Sequence, residues 1–236
     1  MAAIRTLLAL FFLILYLPLA ALVAFPWTFL SGSTELLYKV GMIGARTAVR
    51  LAGIKIKIEG RDQLDPTKTY VFMANHVSNA DPPVVIPAVP RRTSVLVKKE
   101  LFRIPILGKA MKMVSLVPVD RSNREAAVAS IHRAAEVVRS GISMMIFPEG
   151  TRSFDGRMLP FKKGPFYLAI ESGAAIVPIT ILGTREMMPK RSLLVRPGTA
   201  RLIFHPPVDP NDFSDRDELM EAVRQRIASA LPPELQ

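Results

Sequence analysis

The chain has 236 residues, half of them hydrophobic, enough for one large α/β domain plus an appendage. Lysine and arginine outnumber aspartate and glutamate by 31 to 20, and the net charge of +11 points to an anionic partner: a phospholipid surface, a phosphorylated substrate or nucleic acid. Cysteine is absent, which excludes disulfides, thiolate metal sites and a cysteine nucleophile.

Residues 6–34 form a run of 29 without a charge. As a helix, residues 6–30 would extend about 37 Å, more than the ~30 Å hydrocarbon core of a bilayer. A signal peptide has an apolar region of only about 7–15 residues, so the run is too long for one. Pro18 and Pro26 interrupt it, which predicts a kinked span or a pair of helices dipping into one leaflet. Residues 36–53 read as a second helix, with Lys39, Arg46 and Arg50 on one narrow face. That pattern fits a basic amphipathic helix at an anionic membrane interface. A core-packing helix with a solvated basic edge has the same periodicity. Basic residues after the apolar run place the main domain on the cytoplasmic face of the cell membrane. The expected division is therefore a membrane-anchoring segment, 1–53, and an α/β domain, 54–236.

Residues 54–58 alternate apolar and polar, as a half-buried strand does. Residues 69–73 form an apolar strand that delivers Asn75-His76-Val77-Ser78-Asn79-Ala80-Asp81. On a continuous helix His76 and Asp81 would lie about 140° apart, so they meet only if the segment turns back on itself. Asp81-Pro82-Pro83 supports such a turn, because Asp caps helices and Pro suits their first position. A paired carboxylate would fix the imidazole tautomer and stabilise its protonated form. The alternative is a strand-end histidine bonded to backbone and an aspartate that only caps a helix.

Further strands are expected at 93–97, 114–119, 143–147, 176–182 and 200–204. Helices are expected at 101–113, perturbed by Pro105 and Gly108, and at 126–139, with Ser122 and Glu125 as its capping box. Two more should run from Pro165 to a stop at Gly173 and over 214–231. His132 falls on a helix, where a surface or packing role is expected. Alternating strands and helices predict an α/β fold with a largely parallel sheet flanked by helices. His76/Asp81, Arg121 and Glu149/Arg152 each follow a strand's carboxyl end, where open α/β sheets bind ligands.

The three histidines form no metal-ligand cluster, and no glycine-rich phosphate loop is present. A His–Asp pair among basic residues suits deprotonation of a hydroxyl that attacks an activated electrophile beside a bound phosphate. A thioester is such an electrophile and needs no metal, cofactor or covalent enzyme intermediate. Arg121 and Arg152 would hold the phosphate through paired N–H donors.

These residues resemble the glycerolipid acyltransferase family, and most closely its 1-acyl-sn-glycerol-3-phosphate acyltransferases. The matching blocks are Asn75-His76-x4-Asp81, residues 98–108 with Asp120-Arg121, Phe147-Pro148-Glu149-Gly150-Thr151-Arg152-Ser153, and Val177-Pro178-Ile179. They occur in the family's order across residues 54–205. The resemblance implies transfer of a fatty acyl group from acyl-CoA or acyl carrier protein to the sn-2 hydroxyl of lysophosphatidate, giving phosphatidic acid at the bilayer. It implies His76 as base and Asp81 as its partner, with Arg121, Glu149, Gly150, Thr151 and Arg152 binding the acceptor. One departure is the segment Ser115-Leu116-Val117-Pro118-Val119, where the family often carries glycine and an aromatic residue. Other readings are an acyltransferase for another lyso-lipid, a hydrolase that activates water with the same pair, and a non-catalytic membrane protein that binds anionic lipid. Nucleic acid has only the charge in its favour, since 7% of residues are aromatic and no recognition motif is present.

Overall fold

The computed structural model describes every residue except Arg121 and Ser122, and Arg124 in its backbone only. The apolar run forms one unbroken helix, α1 (Ala2–Ser31), which stops where Gly32 turns left-handed at φ 68°. At 30 residues it is about 45 Å long. Pro18 and Pro26 stay inside it rather than dividing it, which leaves a single helix and not the expected alternative of a pair. Both sit on the exposed side, while the opposite side is held against α2 (Glu35–Leu51). The Tyr16 hydroxyl donates to the Val40 carbonyl at 2.9 Å, and Gly44 lies beneath the Tyr16 ring, where a Cβ would come within 2.6 Å. A glycine at that position is what allows the two helices to approach so closely.

Helix α2 packs on the domain through one face and turns a basic edge outward. Leu37 and Val49 are buried, while Lys39, Arg46 and Arg50 form an exposed basic edge. Arg46 also ties the helix down, donating to the Pro87 carbonyl at 2.8 Å.

Beyond these helices come β1 (Ile54–Glu59), β2 (Val71–Ala74), α3 (Asp81–Val85), β3 (Thr93–Lys98), α4 (Pro105–Met113), β4 (Val117–Val119) and α5 (Arg124–Arg139). The chain continues through β5 (Ser143–Ile146), α6 (Gly164–Ser172), β6 (Ile176–Leu182), α7 (Thr184–Met187), β7 (Gly198–Phe204) and α8 (Arg216–Ala228). The seven strands form one sheet in the order β1-β7-β6-β2-β5-β3-β4, parallel throughout except for the β6–β7 pair. β2 lies at its centre with all four residues buried, as the unbroken apolar sequence requires of a strand covered on both faces. Phe72 and Ala74 point to a core shared with α2 and α3, through Val49, Val84 and Val85. Val71 and Met73 point to the opposite core, filled by Ala134, Phe166, Leu168, Leu219 and Val223 from α5, α6 and α8.

Local boundaries follow side-chain chemistry. Helix α5 is capped by Asn123, whose side chain accepts from Ala126 N–H, while the expected box with Glu125 rests on Ser122. Ser122 itself lies outside the described residues. Pro105 opens α4 instead of perturbing a longer helix, because it holds Ile104 extended at ψ 118°. The short α7 carries no periodic signal and was not expected.

A side-chain clamp joins β2 to β6 where the sheet reaches the candidate site. Asn75 accepts from Ile181 N–H at 2.7 Å and donates to the Ile181 carbonyl at 3.0 Å, with Asn75 almost wholly buried. Asn75→Ala leaves two buried backbone groups unpaired, each costing about 1–3 kcal/mol. Chemical denaturation should show a loss of about 2–5 kcal/mol; a change below about 0.5 kcal/mol, the range of neutral surface substitutions, would contradict the clamp.

Candidate active site

Strands β2 and β5 are neighbours with Met73 opposite Ile146, so the residues three places on from that pair meet. One is His76 and the other Glu149. The His76 N–H donates to Glu149 Oε1 at 2.7 Å, and the Leu159 N–H donates to Oε2 at 3.0 Å. The Phe147 ring stacks on the imidazole with centroids 4.1 Å apart. Ser153 N–H reaches the His76 carbonyl at 2.8 Å. Both flanks of His76 are thereby fixed by the loop that follows β5.

Between β2 and α3 the chain turns back, as the His76–Asp81 pairing requires. Asp81 Oδ2 lies 2.7 Å from His76 Nδ1 and accepts from the Val77 and Ser78 N–H groups, both at 2.8 Å. Asp81 is fully buried, whereas the His76 side chain keeps 15% of its surface open. Ser78 secures the turn by donating its hydroxyl to the Met188 carbonyl and accepting from Ala80 N–H. A carboxylate acceptor on Nδ1 places the ring proton there, so Nε2 presents its lone pair. Nε2 has no hydrogen-bond partner among the described residues. The imidazole therefore has one nitrogen committed to a buried acceptor and the other available as a base.

The remaining candidates divide into two groups. Glu149 was expected to contact substrate, but its carboxylate is 1% exposed and both oxygens hold backbone amides, so it supports the strand end carrying His76. Burial pushes its carboxyl up to about 7, against the pull of the Leu159 and His76 N–H groups. Gly150 turns at φ 71°, a left-handed conformation that favours glycine, and leads to the exposed Thr151. Arg152 has a buried Nη1 with no partner among the described residues, and its carbonyl accepts from Lys190 Nζ at 2.8 Å. Asp120 pairs with Lys99. Arg121 lies outside the described residues. His132 is on the surface, paired with Glu171, in keeping with its expected non-catalytic role.

Several supporting residues escaped the sequence reading. Phe147 and Asn75 lie in the motifs but had no assigned role, since a ring stack and a clamp across 106 residues leave no local pattern. Ser78 and Lys190 gave no signal at all.

An α/β sheet with a histidine–carboxylate pair at its carboxyl edge is an arrangement that suits base-assisted transfer or hydrolysis. The comparisons with known proteins decide the class. The acyltransferase family model matches residues 55–182, more than half of the chain, and the chain belongs to that family. A 1-acyl-sn-glycerol-3-phosphate acyltransferase of Chlamydomonas reinhardtii is 37% identical over 183 residues, covering 77% of this chain and 54% of its own length. A chloroplastic one of Arabidopsis thaliana is 37% identical over 179 residues, covering 75% and 49%. The chain thus spans about half the length of these curated relatives. The crystal structure of the 1-acyl-sn-glycerophosphate acyltransferase PlsC from Thermotoga maritima superposes with a TM-score of 0.82 at 26% identity. That match covers 97% of this chain and 94% of the other.

The raised carboxyl of Glu149 has a consequence for stability. Native Glu149 holds its proton to a higher pH than the unfolded chain does, so its contribution is complete below about 4.5 and is lost as pH rises through about 7. Melting temperature should therefore fall across this window, and Glu149→Gln should flatten that fall. An equally steep slope in parent and variant would contradict the assignment.

Proposed function

We propose that this chain transfers a fatty acyl group from an acyl thioester, carried by CoA or acyl carrier protein, to the sn-2 hydroxyl of 1-acyl-glycerol-3-phosphate, giving phosphatidic acid. The observation that carries the reading is the committed Nδ1 and available Nε2 of His76 beside a fully buried Asp81. Nε2 takes the hydroxyl proton as the acceptor oxygen attacks the thioester carbonyl. Collapse of the tetrahedral intermediate expels the thiolate, and the imidazolium returns the proton to it. Asp81 stabilises the imidazolium between these steps. The products are a carboxylic ester and a free thiol, with the base regenerated and no metal or cofactor required.

Arg152 supports the acceptor half of this reading, since its buried Nη1 has a hydrogen to offer and no acceptor among the described residues. A phosphate monoester would accept it, with Arg121 and the backbone of Gly150 and Thr151 completing the acceptor block. Glu149 would act indirectly, by positioning His76. The relatives are named for the same acceptor, 1-acyl-sn-glycerol-3-phosphate.

The lipid nature of the acceptor agrees with α1. Its protein-facing stripe, marked by Thr6, Ala9, Ala24 and Thr28, is buried, whereas Phe11, Ile14, Leu22 and Trp27 are exposed. Such a helix is attached along its length and presents apolar residues outward, which suits embedding in one leaflet better than crossing a bilayer. Residues 1–53 would be the anchoring segment and 54–236 the acyltransferase domain, on the cytoplasmic face of the cell membrane.

Labelled acyl thioester incubated with the protein and a panel of lyso-lipids should give labelled phosphatidic acid from lysophosphatidate. Free fatty acid formed at the same rate without acceptor would overturn the reading in favour of hydrolysis. His76→Ala should lower turnover by about 10²–10⁴-fold with the fold intact. Asp81→Asn should also be severe, and the double variant scarcely worse than His76→Ala, because the pair acts as a unit. Near-normal turnover in a folded His76→Ala protein would remove the mechanism. Arg152→Ala should raise the KM for lysophosphatidate about 10–100-fold and that for the thioester far less; equal changes would mark a structural residue.

A further inference from the structure

Two exposed surfaces flank the carboxyl edge of the sheet, and both combine apolar side chains with cations. The first follows β3 and continues into α4: Leu101, Ile104, Ile106 and Leu107 are exposed at 42, 45, 56 and 39%. Residues 98–112 around them hold five basic residues and one acidic one. The second joins the loop after β5 to the loop between α7 and β7. Phe154 is 65% exposed, Leu193 82% and Leu194 39%, and residues 185–196 hold four basic residues and one acidic.

The second surface is held in place despite its exposure. The Arg191 guanidinium lies 5.7 Å from the Phe154 ring centroid, joining the two loops. Arg191 adopts φ 73°, uncommon for a residue with a side chain and persistent only where surroundings impose it. Ser153, next to Phe154, bonds the His76 carbonyl, so this surface borders the candidate site.

Helix α1 connects the two. Near its start, Thr6 Oγ1 accepts from the Val195 N–H at 2.9 Å, two residues beyond Leu193. Near its end, the Lys109 ammonium of α4 lies 5.9 Å from the Phe25 ring centroid and 4.8 Å from that of Phe29. The apolar surface of α1 is thus continuous at either end with one of the flanking surfaces. Water is a poor partner for leucine, isoleucine and phenylalanine presented together on this scale. Neighbouring lysine and arginine side chains reach the headgroup level while their stems lie along apolar surface.

We propose that these two surfaces are additional membrane-contact sites, seated in an anionic phospholipid leaflet on either side of the candidate active site. Their apolar side chains enter the headgroup–acyl boundary, and their cations meet lipid phosphates. The contact thus extends from α1 to the α/β domain itself and sets the carboxyl edge of the sheet against the lipid. It does not rest on the acyl-transfer reading, since a catalytically dead protein would make it too.

The absence of cysteine makes the test direct. Single cysteines would replace Leu193, Ile106, Leu22 on α1 and Asp62, which lies beyond the carboxyl end of β1 at the opposite end of the sheet. Each full-length variant, with the parent's thermal transition retained, would carry an environment-sensitive fluorophore in vesicles of phosphatidylglycerol or phosphatidylcholine containing headgroup-level nitroxide lipid. In phosphatidylglycerol, probes at 193 and 106 should be quenched as the probe at 22 is, while the probe at 62 stays unquenched. Quenching at 193 and 106 should weaken in phosphatidylcholine. Probes at 193 and 106 that behave like 62 would overturn the proposal, and so would quenching on one flank only. Equal quenching in both lipids would overturn its electrostatic part.

Discussion

One carboxylate oxygen organises the candidate site. Asp81 Oδ2 gathers the imidazole N–H of His76 and the backbone N–H groups of Val77 and Ser78, all within 2.8 Å. The two backbone bonds fold the segment back on itself, and the third sets the tautomer of the base. Local structure and chemistry therefore depend on the same atom. A carboxylate with no solvent exposure is costly unless its donors are in place, which makes the turn and the pair mutually dependent.

The surroundings extend this dependence across the sheet. Because β2 and β5 pair in register, the loop after β5 is adjacent to His76 at once, and Glu149, Phe147 and Ser153 each hold a different part of it. Asn75 then ties the same strand end to β6. His76 thus stands on rigid elements with contacts on several sides, the kind of support that a group proposed to act as a base would need. Glu149 braces the strand end that carries His76, accepting its backbone N–H and that of Leu159. Its carboxylate is directed inward, and burial raises its carboxyl to about 7.

Much of this was legible in the sequence where the signal is local. Alternation and apolar runs located the strands, Pro165 and Gly173 bounded α6, and the helix expected over 214–231 is α8, with Leu219, Val223 and Ile227 buried. The His76–Asp81 pairing was one of two arrangements the spacing allowed, and the turn back between β2 and α3 realises it. What stayed hidden depends on partners remote in sequence. The Asn75 clamp, the Ser78–Met188 bond and the inward turn of Glu149 arise only when strands pair. Proline was misread in opposite senses. In α1 the prolines are accommodated on the exposed side of a helix held by α2, whereas Pro105 begins a helix because Ile104 before it is extended. The division at residue 53 also looks sharper in sequence than in the fold, since α2 contributes Val49 to the main core and Thr6 of α1 bonds Val195.

The tautomer of His76 is the most direct test of the site's central interaction. Nitrogen-15 NMR of histidine-labelled protein, with the His76 signals identified by their loss in His76→Gln, reads the protonation of each ring nitrogen separately. At a pH where the ring is neutral, Nδ1 should carry the proton, hydrogen-bonded to Asp81, and Nε2 should be bare. In Asp81→Asn the preference for Nδ1–H should weaken or disappear. An imidazole that is neutral with its proton on Nε2 in the parent protein would contradict the assignment, because the nitrogen facing the substrate could not then act as a base.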